Sequence, residues 1–321
     1  MLQLLDLAGI YFRAFYAVPS SITGPHGRPV NAIRGSLDII AKVVGDARPT
    51  RVIACLDIDW RPAWRVELIP SYKAHRVAGE PVPGAGGADP RFLTQLLEEE
   101  VPDELTPQVP VLFDVLSAIG VTQAGAERHE ADDVIGTLVQ RETTDPVEVV
   151  TGDRDLMQLA RATPTPTVVR YIGAGLAKAV VLDEAGVLGK YAVPASGYAD
   201  FAALRGDPSD GLPGVPGIGD KTAATLIGQW GSIEALAAAA DDPRSGLAVG
   251  PRRKLLAARA YLDVAPTVVR VARNAPVWTQ PDGDGRILDE PADPARLAEL
   301  INEHGIGSSV GRLLDALGWQ R

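Results

Sequence analysis

Nine carboxylates stand in five short clusters, and their types and spacing point to one chemistry. Asp6 follows the apolar run Leu2–Leu5, and Asp57 follows Val52–Leu56. Glu130, Asp132 and Asp133 share the stretch EADD, Asp153 and Asp155 share TGDRD, and Asp207 and Asp210 share GDPSD. Oxygen donors without a neighbouring histidine or cysteine suit hard Mg²⁺ or Mn²⁺ and disfavour Zn²⁺. The four histidines, His26, His75, His129 and His304, show no zinc-ligand spacing. Two such ions serve the attacking and leaving oxygens of phosphodiester cleavage, so metal-dependent phosphoryl chemistry is the leading class. Any one of these acids could equally be a turn former or a helix N-cap. Three acids within Glu130–Asp133 are harder to explain that way, because their mutual repulsion exceeds what a helix dipole returns unless cations neutralise them.

The elements that must position these groups alternate through the first half. Leu2–Leu5, Val52–Leu56 and Val147–Val150 read as buried strands, and Ala32–Val44, Val109–Ile119 and Val134–Val139 as helices. That pattern predicts an α/β domain over 1–190 with a mostly parallel sheet, whose strands deliver Asp6, Asp57 and Asp153 to one edge. Val77–Pro90, rich in Gly, Pro and Ala, and Glu98–Pro110 read as functional loops. From about 191 to 321 the pattern becomes mostly helical: Ala195–Leu204, Lys221–Gln229, Ile233–Ala240 and Lys254–Ala265 lie between Pro/Gly clusters. Asn274–Asp293 reads as a polar connection before a last helix near Pro294–Glu303.

Leu212–Ala223, LPGVPGIGDKTA, places Gly214, Gly217 and Gly219 just before a helix start. Such a turn lets backbone N–H groups grip a nucleic-acid phosphate, with Lys221 and Thr222 extending the grip and outward carbonyls available to a monovalent cation. The stretch has the form of a helix-hairpin-helix, which binds backbone without reading bases. A helix connection whose glycines serve close packing is the alternative. Thirty-one basic against 41 acidic residues give a net charge of −10. That argues against a nucleic-acid partner until the nine clustered acids are set aside, which leaves −1. Cys55 alone, inside an apolar run, predicts a small buried hydrophobe in a reducing compartment. Without a long apolar span or a basic leader, a soluble cytoplasmic protein is expected.

In combination these motifs resemble the 5′-nuclease domain of bacterial DNA polymerase I and its flap-endonuclease relatives. The residues that carry the resemblance are LLDLAG around Asp6, GRPVNAIRG from Gly27, the acid after VIACL, SYKAHR from Ser71, EADDVIGTL, TGDRDLMQL and GDPSDGLPGVPGIGDKTA. It spans Leu2 to about Leu317 and leaves no room for a polymerase module, so a free-standing member is expected. The resemblance implies a PIN-like (resolvase-like) sheet, a helical arch or gateway around 61–110 and a helix-hairpin-helix (H3TH) motif around 203–230. Asp6, Asp57, Glu130, Asp132 and Asp133 would lie mostly around a first ion, and Asp153, Asp155, Asp207 and Asp210 around a second. Lys73 and Arg76, placed by their spacing on one helical face, would contact the scissile phosphate. Tyr72 would stack on the nucleic acid or simply pack; Arg65 would contact DNA or be a solvated surface arginine. Val215 and Ile218 would offer carbonyls to K⁺. The implied substrates are DNA 5′ flaps, nicks and 5′ ends, with RNA–DNA hybrids in addition, cut to a 5′-phosphate and a 3′-hydroxyl by a monomer.

Two positions depart from the family's pattern. Asp59 follows Asp57 where relatives often carry a base, so it is either an additional site acid or a surface charge. Gly211 stands where many relatives have Asn. A PIN-type ribonuclease and a non-catalytic module for branched DNA are the competing readings.

Overall fold

The computed structural model describes residues 1–77 and 101–319. The arch expected over Val77–Pro90 falls, beyond Val77, outside the described residues. Among the described residues seven strands form one sheet: β1 (Leu2–Asp6), β2 (Arg51–Cys55), β3 (Thr122–Gly125), β4 (Val147–Thr151), β5 (Thr167–Tyr171), β6 (Val180–Leu182) and β7 (Trp278–Gln280). Their order is β6-β5-β4-β1-β2-β3-β7. β1 to β5 are mutually parallel, while β6 and β7 run antiparallel along the two edges. The central strands are buried on both faces, which is why they read as largely apolar runs; the two polar residues inside them, Gln3 and Glu148, are buried and hydrogen-bond each other at 2.7 Å.

One face of the sheet packs on α1 (Leu7–Ala17), α2 (Asn31–Ala47) and α4 (Gln108–Ile119). α2 turns Ile33, Leu37, Ile40, Val43 and Val44 inward at helical spacing. A short α3 (Ala63–Leu68) lies between the expected helices, and α5 (Ala131–Arg141), which contains the expected Val134–Val139, packs on the other face. On that second face α6 (Glu184–Tyr191), α7 (Tyr198–Arg205), α8 (Asp220–Trp230), α9 (Ile233–Asp241), α10 (Val249–Ala257), α11 (Arg259–Leu262) and α12 (Ala265–Val269) share a continuous apolar cluster with α5. Fully buried Tyr198 and Phe201 lie within it.

The tail differs from its expected form. In place of a plain connection, β7 closes the sheet beside β3, and α13 (Pro294–His304) and α14 (Gly307–Ala316) lie with α2 and α4. Arg312 of α14 clamps Asp38 of α2 at 2.7 Å. Residues from β7 onward therefore pack with the sheet, apart from the helices of 195–271. β7 escapes notice in the sequence because it is three residues long and bounded by prolines at 276 and 281. β3 is equally quiet because its Gln123 is polar, yet Gln123 is buried and donates to Phe113 O and Ser117 Oγ.

Candidate active site

The carboxyl ends of β1, β2 and β4 open onto a cleft of about 520 Å³ lined by Asp6, Asp57, Glu130, Asp132 and Asp153, with Lys73 and Arg76 on its wall. Asp6 ends β1 and caps α1, accepting from Gly9 N at 2.9 Å, while Thr151 Oγ1 at the end of β4 donates to its other oxygen at 2.8 Å. A Cβ at Gly9 would lie 2.3 Å from Asp6 Oδ2, so a side chain there would displace that carboxylate. The same Thr151 Oγ1 accepts from Asp153 N, and Asp153 Oδ1 accepts from Asp155 N at 2.7 Å. Asp57 accepts from Ala131 N at 2.6 Å, which ties the end of β2 to the start of α5. Asp155 and Asp210 lie behind the cleft, around a small cavity shared with Glu130 and Asp132. Asp207 caps the turn Pro208–Asp210 and pairs with Arg205 at 3.3 Å.

Burial shapes the electrostatics. It raises the carboxyls of Asp6, Asp153 and Asp210 above the ordinary range and those of Asp132 and Asp155 well above it, with neighbouring acids adding to the effect on Asp132 and Asp155. Asp57 is pushed up to about 7 by burial first, then by Glu130 and Asp6, against the pull of Lys73. Asp155 Oδ1 is buried without a hydrogen-bond partner. An all-oxygen donor set, an orphaned carboxylate oxygen and six desolvated acids are what a hard divalent cation would relieve, so these residues fit Mg²⁺ or Mn²⁺. As the side chains stand, no group of three among the described residues forms a ready-made chelate. Several of the acids are held by the chain's own cations.

Those cations and their partners bear on four sequence-based expectations, and for Tyr72 they favour the packing alternative. Arg65 is 3% exposed, pairs with Glu130 Oε1 at 2.8 Å and grips both oxygens of Asp133 at 2.8 and 2.7 Å, so it is no DNA contact. Burial works against its charge, but Glu130, Tyr72 and Asp133 outweigh it and hold the guanidinium ionised. Asp133, fully buried, also accepts from Ala272 N and closes a capping box with Glu130, so both its oxygens are already engaged by the Arg65 clamp and backbone. Tyr72 is buried and donates to Glu130 Oε1 at 2.6 Å, which leaves no ring face for a base. Lys73 and Arg76 do not share a helical face. Lys73 sits in the left-handed region at φ 48°, and Arg76 ends a single 3₁₀ turn. They nonetheless meet the site: Lys73 Nζ bonds Glu130 Oε2, and Arg76 pairs with Asp210 at 3.0 Å. Burial opposes the Lys73 charge, yet Glu130 and its neighbours keep the ammonium well above its ordinary range.

Other expectations resolve locally. Asp59 lies off the cleft lining and accepts from Arg61 N. Cys55 is buried, and burial drives its thiol well up, as a packing residue requires. At the hairpin, Gly214 and Gly217 take φ +65° and +78°, and Gly219 caps α8 in extended backbone with no side-chain cap, while Lys221 and Thr222 are exposed. Val215 and Ile218 bury their side chains, and the Val215 carbonyl accepts from Ile218 N. The Gly217 carbonyl is met at 2.7 Å by Lys254 Nζ, so the chain itself brings a positive charge to the hairpin tip.

Sequence reasoning missed Arg13, Phe12, Tyr16 and Trp60, which also line the cleft. Arg13 Nε is buried without a hydrogen-bond partner. Its signal was its place on α1 one turn beyond Gly9, on the face that begins at Asp6.

Family models match the chain in two parts: a 5′-3′ exonuclease N-terminal resolvase-like domain over residues 1–192 and a 5′-3′ exonuclease C-terminal SAM fold over 193–285. A 5′-3′ exonuclease of Mycobacterium tuberculosis is 54% identical over 320 residues, 98% of this chain and 97% of the relative. One from Streptomyces coelicolor is 50% identical over 315 residues, 98% and 99% of the two chains. DNA polymerase I of Mycobacterium bovis is 34% identical over 98% of this chain but only 32% of its own length. Among solved structures, T5 5′-exonuclease with bound divalent metal ions (zinc) superposes at a TM-score of 0.62 and 15% identity, covering 98% of this chain and 99% of that one. The Rad2 catalytic core with DNA substrate gives 0.57 and 16%, covering 98% and 92%; both share the fold. Covered by the two family models from residue 1 to 285 and matched over 98% of its length by relatives at 54% and 50% identity, the chain belongs to the 5′-3′ exonuclease family.

Proposed function

We infer that the protein is a divalent-metal-dependent 5′-3′ nuclease acting on DNA 5′ ends, nicks and 5′ flaps, and on RNA–DNA hybrids, as a cytoplasmic monomer in replication and repair. One observation carries this reading: buried carboxylates from three strand ends and a helix start meet in a single open cleft beside Lys73, Arg76 and Arg13. Asp6, Asp57, Glu130 and Asp132 would hold one Mg²⁺ or Mn²⁺, and Asp153, Asp155, Asp207 and Asp210 a second. Bound there, the ions supply the Lewis acidity and charge neutralisation that phosphodiester hydrolysis needs. The chain's residues do the rest. Lys73 and Arg76, held toward the cleft by Glu130 and Asp210, exchange those partners for the scissile phosphate and offset its developing charge. Arg13 takes a further phosphate oxygen. Phe12 and Trp60 form an apolar wall that limits water, and exposed Tyr16 stands at the mouth. Hydrolysis leaves a 5′-phosphate and a 3′-hydroxyl.

The hairpin before α8 grips duplex backbone through its uncapped N–H groups, Lys221 and Thr222, with Lys254 adding charge. K⁺ at the carbonyls of Val215 and Ile218 is secondary in this reading, because Lys254 already serves the neighbouring carbonyl. A module that only binds branched DNA gains nothing from six desolvated acids, and a PIN-type ribonuclease has no use for the hairpin.

The test is cleavage of labelled 5′-flap DNA, nicked duplex and RNA–DNA hybrid with Mg²⁺, Mn²⁺ or chelator. Wild type should cut only with metal, and Asp153→Ala should lose at least about 100-fold. Cleavage in chelator, or an active Asp153→Ala, overturns the reading; binding without cleavage under every metal condition supports the module.

A further inference from the structure

We propose that a second cavity, at the opposite edge of the sheet from the carboxylates, binds a small phosphate-bearing anion through the guanidinium pair Arg161 and Arg273. The cavity has a volume of about 580 Å³, which is of ligand size. Arg161 pairs backbone to backbone with Thr167, the first residue of β5, which in turn lies beside Val147, the first residue of β4. Asp153 and Asp155 stand past the other end of β4, a strand length of roughly 15 Å away. The wall is completed by Gln140 of α5, Glu184 of α6, Ser196 just before α7, and the segment that follows α12.

Among the described residues, three arginines and one acid, the exposed Glu184, line this cavity. Arg270 is already served, by Asp200 at 2.7 Å and Glu234 at 2.9 Å. The other two form no ion pair among the described residues. Arg161 spends its Nη2 on the carbonyls of Val139 and Glu142 and the Thr165 hydroxyl, and its Nε is buried without a partner. Glu142, whose charge favours that of Arg161, has its carboxylate taken by Arg51 at 2.5 Å. Arg273 donates through Nη2 to Gln158 O at 3.3 Å and makes no other hydrogen bond among the described residues. Burial lowers both guanidinium groups from their ordinary range, and Arg161 lowers Arg273 further. The carbonyl bonds account for Arg161 as a clasp on the end of α5, but nothing comparable accounts for Arg273. Two partly buried like charges without a counter-ion cost free energy, which an anion beside both would return. A phosphate monoester carries about −1.5 to −2 at pH 7 and offers oxygens to paired guanidinium donors, while Ser196 and Gln140 add neutral ones.

The experiment is calorimetric titration of the full chain, in chelator, with inorganic phosphate and with a 5′-mononucleotide. Wild type should bind at least one of them with a Kd below about 1 mM. Arg273→Gln should weaken that binding at least about 10-fold. Ser196→Glu, an exposed change that puts a negative charge on the wall, should weaken it in the same sense even if the arginine variant fails to fold. Glu184→Gln removes the acid of the lining and should tighten binding about 2- to 5-fold, which no purely structural role of the arginines would produce. All three variants should keep the nuclease rate and flap-DNA affinity of wild type within about twofold, because the cavity lies apart from the cleft. Equal affinity for the two probes assigns the site to free phosphate, and a preference of at least about 10-fold for the mononucleotide assigns it to a nucleotide phosphate; either supports the proposal. No binding by wild type at about 10 mM, unchanged affinity in both Arg273→Gln and Ser196→Glu, or loss of binding in Lys73→Ala instead overturns it. Flap-DNA affinity that falls in Arg273→Gln and Ser196→Glu makes the cavity a DNA-backbone contact, and overturns it as well.

Discussion

At the scale of single residues, the site is a contest between acids that need cations and cations already present. Asp57, with its carboxyl near 7, shows the cost most directly. Its ordinary value lies near 4, so between about pH 4 and 7 the folded chain holds a proton that the unfolded chain releases, and stability falls as pH rises through that window. In chelator, Asp57→Asn should therefore melt higher than wild type at pH 8 and lose most of that gain at pH 4. Thermal melts across pH check this, and an Asn variant that melts lower at pH 8 counts against it. Arg65 makes the opposite case. Replacing it with Met strands Asp133 and Glu130 in the interior, and denaturant titration should read a loss of about 3–5 kcal/mol. A DNA-contacting surface arginine would leave stability nearly unchanged, so the same titration separates the two roles.

At the scale of elements, the chain brings its chemistry to strand ends and turns, and the sequence discloses these unequally. Asp6, Asp57 and Asp153 were legible because each stands at or just past the end of a mostly apolar run, and parallel pairing then puts them on one edge. The split between Asp132 and Asp133 was not legible, because adjacent acids in EADD look alike until Arg65 arrives from α3, some 68 residues away, to claim one of them. Lys73 misled for a related reason. A spacing of three fits a helix, but docking against Asp210 puts Lys73 in a left-handed turn. The turn of the glycine hairpin was legible, since Gly214 and Gly217 take positive φ, whereas Gly219 is extended. There, Gly217→Val combines backbone strain at φ +78° with a Cβ 2.9 Å from Lys254 Nζ, and should weaken duplex binding while metal affinity stays intact. Fluorescence anisotropy with duplex DNA and calorimetry with Mn²⁺ measure the two independently; unchanged duplex affinity removes the hairpin from the binding surface.

At the scale of the whole molecule, a net charge of −10 coexists with a nucleic-acid function because five of the acids meet in one cleft where Arg13, Lys73 and Arg76 stand beside them. Affinity for a 5′-flap duplex in chelator should be weak and fall steeply with added KCl. Divalent metal, measured with Asp153→Ala to prevent turnover, should raise it. Titrations at two salt concentrations with and without Mg²⁺ settle the point, and tight salt-insensitive binding in chelator would contradict it. The C-terminal segment has a different consequence. β7 lies antiparallel along β3 and satisfies its outer edge. Deleting the segment from Trp278 would strip the cover from an open row of backbone donors and acceptors. The shortened chain would be a template for strand pairing with its own copies, and because α13 and α14 go with the segment it would also bare the apolar sides of α2 and α4, so its failure would show as self-association.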